Sequence, residues 1–120
     1  MAENKKQKAE LDALRKKLND SVRRKDYEAA AQACRDIIAL DARAKGLKIM
    51  ACLYHKDLGE AYLKLLEYEK AYDSFKTAHA GLVQYRATEK LKFPDDWLNE
   101  LKVIERLIDK VERVHLKGKF

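Results

Sequence analysis

Residues 52–83 place Leu58, Gly59, Tyr62, Ala71, Phe75 and Ala78 at spacings that suit two closely packed helices. Gly59 removes a side chain where a neighbouring helix must come close. Tyr62 and Phe75 are bulky enough to fill the space between the pair, and Ala71 and Ala78 keep the second helix near the first. The wording recurs earlier. Asp26-Tyr27-Glu28 with Ala30, Cys34 and Ile37 anticipates Glu67-Tyr68-Glu69 with Ala71, Phe75 and Ala78, always 41 residues ahead. An internal repeat of this period points to stacked helical hairpins.

The six positions resemble the tetratricopeptide repeat, a helix–turn–helix unit of about 34 residues. The resemblance covers a clear repeat at 52–85 and a degenerate one at 11–44, where Leu14 and Leu18 take the places of the bulky residue and the glycine. It implies an all-α fold: an antiparallel array of about five helices wound as a right-handed solenoid. The expected helices lie near 9–24, 26–45, 47–65, 68–91 and 95–116, and the second to fourth exceed the ordinary length of about 11–12 residues. The offset of 41 leaves seven residues to absorb, and the run 38–45 stays helix-prone up to Gly46, a suitable C′ residue. The expectation is that both flanking helices lengthen by about one turn, similar to the 42-residue repeats of kinesin light chains.

Residues 1–8 lack an apolar stripe and are expected to form a flexible lead-in to a single domain at 9–120. Leu11, Leu14, Leu18 and Val22 then recur at helical spacing, with basic residues on the other faces. Pro94-Asp95-Asp96 reads as a helix start. The last helix carries Trp97, Leu98, Leu101, Ile104, Ile108, Val111 and Val114 on one face, with Gly118 as its stop. It is either a terminal capping helix or the first half of a third repeat.

Composition narrows function by exclusion. Charged residues make up 38% of the 120, with 26 basic against 20 acidic, so the net charge of +6 implies at most a preference for acidic partners. No apolar run approaches the roughly 20 residues of a membrane span, and no signal core follows the basic N-terminus. Cys34 and Cys52 match no metal or secreted disulfide pattern, and on straight helices they differ in height by about 9 Å. They are expected to be free thiols in a cytoplasmic protein. His55, His79 and His115 have no ligand spacing, and the four glycines form no phosphate loop. No enzyme, metal or cofactor is expected, and His55 is assigned to packing.

The resemblance implies a concave groove lined by the first helix of each repeat. Those places are Asp12, Arg15, Lys16, Asn19, Val22 and Arg23, then Leu53, Lys56, Asp57, Glu60, Leu63 and Lys64. The implied function is a protein–protein interaction scaffold that binds a peptide or helix of a partner, an acidic one fitting best. Leu53 and Leu63 would give apolar contact, and Arg15, Lys56 and Lys64 charge. Self-association is a further use of such a surface. Arg15 and Asn19 suit the carboxylate grip known in the family, but Asp57 stands where that grip has an Asn, so this use is not expected. A nucleic-acid-binding helical protein is the alternative reading, supported by the basic balance and opposed by the alternation of charges along the helices.

Overall fold

The two hairpin turns share one hydrogen-bond pattern. In the computed structural model, which describes residues 2–44 and 46–117, Asp26 N–H bonds the Ser21 carbonyl and Glu67 N–H bonds the Tyr62 carbonyl. Lys25 and Leu66 both adopt left-handed φ, 61° and 62°. Arg24 and Leu65 donate to Asp20 and Ala61, and Ala30 and Ala71 to Asp26 and Glu67, again 41 residues apart. Both turns close a helix C-terminus with the same carbonyl-satisfying pattern.

Five α-helices form among the described residues: α1 (Ala2–Arg23), α2 (Tyr27–Arg43), α3 (Ala51–Lys64), α4 (Tyr68–Thr88) and α5 (Leu98–Lys110). A π-helical segment, Val111–His115, continues α5. No strand occurs among the described residues. The chief packing is between helices adjacent in sequence, α1 on α2, α2 on α3, α3 on α4 and α4 on α5. Cross-links read in reverse order along α5, Arg86 to the Asp96 carbonyl, His79 to Glu105 and Tyr72 to Glu112, so it runs antiparallel to α4. Extents of 51 × 36 × 22 Å describe an elongated slab.

The core is a series of clusters. Leu11, Leu18, Cys34, Ile37, Leu40 and Leu58 belong to the first, between α1, α2 and α3. Cys52, Ala78, Leu82 and Ile104 form the second, and Ala71, Phe75, Val111 and Leu116 the third. A Cβ on Gly59 would lie 2.5 Å from Phe75 Cε1, inside van der Waals contact, so the glycine makes room for the ring. Gly81 meets α3 in the same way, where a Cβ would stand 2.9 Å from Cys52 Cβ. Phe75, Ala71 and Ala78 are fully buried. Tyr62 is half-buried and its hydroxyl accepts from Arg35 at 3.0 Å.

Four local expectations need correction. Helix α1 begins at Ala2, so the stretch expected to be a flexible lead-in is helical from residue 2. Ala, Glu, Lys and Gln are strong helix formers and propagate the helix, Gln7 is buried, and an Arg43–Glu10 ion pair of 2.6 Å ties the first half of α1 to the end of α2. The second to fourth helices do exceed the ordinary length, at 17, 14 and 21 residues, but the surplus before α3 is taken up largely by non-helical chain instead of continued helix. Ala44 turns extended (φ −82°, ψ 145°), Gly46 goes left-handed (φ 82°), and residues 46–50 are non-helical before α3 begins at Ala51. Ile49 packs on the first cluster and Met50 on the second. The connection thus seals two cores, a gain that continued helix would forgo.

Third, α4 ends at Thr88, and Pro94-Asp95-Asp96 makes a turn instead of starting a helix. The Asp96 carboxylate accepts from Phe93 N–H at 3.0 Å, Trp97 takes left-handed φ of 66°, and α5 starts at Leu98. Fourth, the face expected of the last helix is broken at its ends. Trp97 lies outside the helix against Tyr85, and the π segment turns Val114 outward while Ile104 and Val111 stay buried. The helix end expected at Gly118, and Lys45 at the end of the expected second helix, lie outside the described residues.

Both cysteines are free and buried. Burial pushes the Cys34 thiol up to about 12 and also raises Cys52, so neither offers a thiolate at neutral pH. Alkylation without reductant should be slow on the native chain and should modify both thiols once it is unfolded. A mass showing no adduct after unfolding would mean a disulfide.

Candidate functional site

The first hairpin, α1 and α2, leaves a hollow against α3. Leu18, Asn19 and Val22 from the end of α1, Tyr27 and Ala30 from the start of α2, and Asp57, Glu60, Ala61 and Lys64 from α3 line a cleft of about 360 Å³. Its existence follows from side-chain size. Ala30 and Ala61 are small where the two helices meet, so Leu18 and Tyr27 form walls with space between them. Val22 is 51% exposed, an apolar side chain held at the opening.

The groove residues expected from the sequence separate into two sets. Asn19, Asp57, Glu60 and Lys64 come together in the cleft, with Val22. Lys64 also sits 5.9 Å above the Tyr27 ring, a cation–π contact at the rim. Of the other seven, Asp12, Lys16 and Arg23 are exposed on α1 outside the cleft, and four have partners elsewhere. Arg15 Nε donates to the Tyr54 hydroxyl at 2.9 Å. Leu53 packs on the second cluster and Leu63 on the third, so both serve the core beneath α4 and α5. Lys56, expected to offer its charge to the groove, has a side chain only 18% accessible and an ammonium 2.7 Å from Glu100 and 3.5 Å from Glu60. The sequence logic placed these four by repeat position alone and had no term for α5, whose Glu100 claims Lys56. Tyr27, Leu18, Ala30 and Ala61 were missed as cleft residues. Their signal was the coincidence of two alanines with Leu18, which stands 41 residues before Gly59.

The charges are unequal in their satisfaction. Burial lowers the Lys56 ammonium, but the Glu100 hydrogen bond and the Glu60 charge outweigh this and its pKa is raised. Asp57 is pushed up to about 6, first by burial, then by Glu60 and Glu100, with Lys56 opposing. No hydrogen bond among the described residues reaches its carboxyl. His55 is half-buried, and burial alone lowers its pKa. No group of three metal-capable side chains occurs among the described residues, and no helix there is long and apolar enough to cross a membrane.

Asp57 has a consequence for stability. Its native pKa lies above the ordinary 3.8, so the folded state holds its proton more tightly than the unfolded chain does. Ionising it therefore works against folding, and that penalty grows as pH rises through about 6. Asp57→Asn should melt higher than the parent at pH 8, and the gap should narrow as pH falls to 4. A gap independent of pH would show that the carboxyl is not strained by its surroundings.

No protein-family profile, curated protein or solved structure matches the chain.

Proposed function

We propose that this chain is a tetratricopeptide-like solenoid with α5 as its terminal cap, and that it acts as an interaction module holding a peptide or helix of another protein in the cleft between α1, α2 and α3. The observation that carries this is the cleft itself, an apolar-walled hollow of about 360 Å³ to which Asn19, Val22, Asp57, Glu60 and Lys64 all contribute. Concave, mostly apolar sites with a few convergent polar groups are what ligands use. The Gly59–Phe75 packing and the repeated hairpin turns support the repeat assignment.

Val22→Gln removes an apolar wall at an exposed position and should weaken partner binding with little change in melting temperature. Val83→Gln is the matched control, since Val83 is 44% exposed on α4, away from the cleft. A partner protein retained by the parent chain should be lost with Val22→Gln and kept with Val83→Gln. Equal loss in both would place the binding surface elsewhere. Lys64→Glu against Lys76→Glu makes the same comparison for charge. Lys56→Glu is unsuitable, because it would set a third carboxylate against Glu60 and Glu100. Binding that falls steeply with salt and as much for Lys76→Glu as for Lys64→Glu would favour the nucleic-acid alternative.

A further inference from the structure

The cleft has walls and a floor of different chemistry. Leu18, Val22 and Tyr27 are apolar, while Asp57 and Glu60 put carboxyl groups at its α3 side. Lys56, whose charge acts on Asp57, is already shared between Glu60 and Glu100 at 3.5 and 2.7 Å. Lys64 stands at the rim beside Tyr27. The Asp57 carboxyl is thus half-buried, with no hydrogen-bonding or ion-pairing partner among the described residues. Its neighbouring cations, Lys56 and Lys64, are engaged with Glu60, Glu100 and the Tyr27 ring, so this half-buried carboxylate is under-compensated, and the apolar walls leave room for a carbon chain to bring a further cation.

We infer that the cleft receives an arginine side chain of a partner peptide, its methylene stem against Leu18, Val22 and Tyr27 and its guanidinium on Asp57 and Glu60. This rests on the interaction-module reading and reverses the expectation of an acidic partner. Arginine fits better than lysine because its planar fork can meet two carboxylates at once and is more weakly hydrated, so entering a partly dry site costs it less. The volume of about 360 Å³ exceeds one side chain, so neighbouring peptide residues also enter.

The charged and titratable groups around Asp57 all bear on this. Lys56, Glu60 and Lys64 come from its own helix, Cys34 and Tyr27 from α2 and Glu100 from α5, while α1 offers the neutral Asn19. The Cys34 thiol stays protonated, so Asp57 and Glu60 supply the negative charge that the guanidinium meets. Protonating Asp57, as pH falls through about 6, should therefore weaken binding.

The test uses the whole chain and four 12-residue peptides identical except for a central arginine, lysine, citrulline or glutamate. Backbone-amide NMR titration reads both site and affinity. The arginine peptide should shift the amides of Asn19, Asp57, Ala61 and Lys64. Citrulline, which keeps the shape without the charge, should bind at least about tenfold more weakly, and glutamate more weakly still. Asp57→Asn, with its fold checked by circular dichroism, should reduce the arginine peptide to the citrulline level. If arginine and citrulline peptides bind equally at those amides, or if Asp57→Asn leaves arginine binding intact, the cation assignment is overturned and the module stands. If none of the four shifts those amides, the cation assignment fails too, and the module reading is then judged by the Val22→Gln comparison.

Discussion

Phe75→Ala should cost roughly 3–5 kcal/mol, the range for emptying a fully buried aromatic site. Phe75 is wholly buried between α3, α4 and the π segment, and its ring occupies the space in which a Gly59 side chain would stand. Gly59→Leu should cost about 1–3 kcal/mol or more, because the clash is with a ring that has nowhere to move. The two changes are not independent. Gly59→Ala should be less harmful in a Phe75→Leu background than alone, since the smaller side chain withdraws from the contact. Urea melts of the two singles and the double would measure this. Full additivity would mean that Gly59 and Phe75 do not share the space the structure gives them.

The second large effect is local. Ile104 is fully buried and is the α5 residue of the second cluster, against Ala78 and Leu82. Ile104→Ala should cost about 2–5 kcal/mol in the docking of α5. Because α5 packs chiefly on α4, that loss should release α5 before the rest unfolds. Hydrogen exchange should then quicken in residues 98–115 while α1 and α2 keep their protection. Uniform loss of protection along the chain would show one cooperative unit instead of serial clusters.

What the sequence conveyed and what it withheld divide along physical lines. Helix existence and the hairpin turns were legible because they depend on local pattern. The spacing of Leu58, Gly59 and Tyr62 and the 41-residue echo of Asp26-Tyr27-Glu28 name both hairpins. The chain from 44 to 50 was not legible as a spacer. Its helix-compatible residues gave no sign that Ile49 and Met50 would find more burial in two different clusters than along one helix. Helix α1 was read too short for the same reason in reverse, since Gln7 is buried and Glu10 ion-paired only through the tertiary structure. At the candidate site, Asn19, Asp57, Glu60 and Lys64 were placed by repeat position. The fate of Lys56 depended on Glu100, which lies 44 residues away in the chain.

The two hairpins solve one packing problem with their large and small residues exchanged. In the second, Gly59 on the first helix faces Phe75 on the second, whereas the first hairpin buries Leu18 and Cys34 at the corresponding places. Bulk has changed sides while the turns remained superposable in their hydrogen bonds. The consequence is epistatic. Carrying one residue from either hairpin to the other either doubles the bulk at the contact or empties it, so each single step is costly. Only a paired exchange, Leu18→Gly with Cys34→Phe or its converse, preserves the volume. The hairpins therefore share a turn but cannot trade residues one at a time, and the hollow beside Leu18 lies where the first hairpin meets α3.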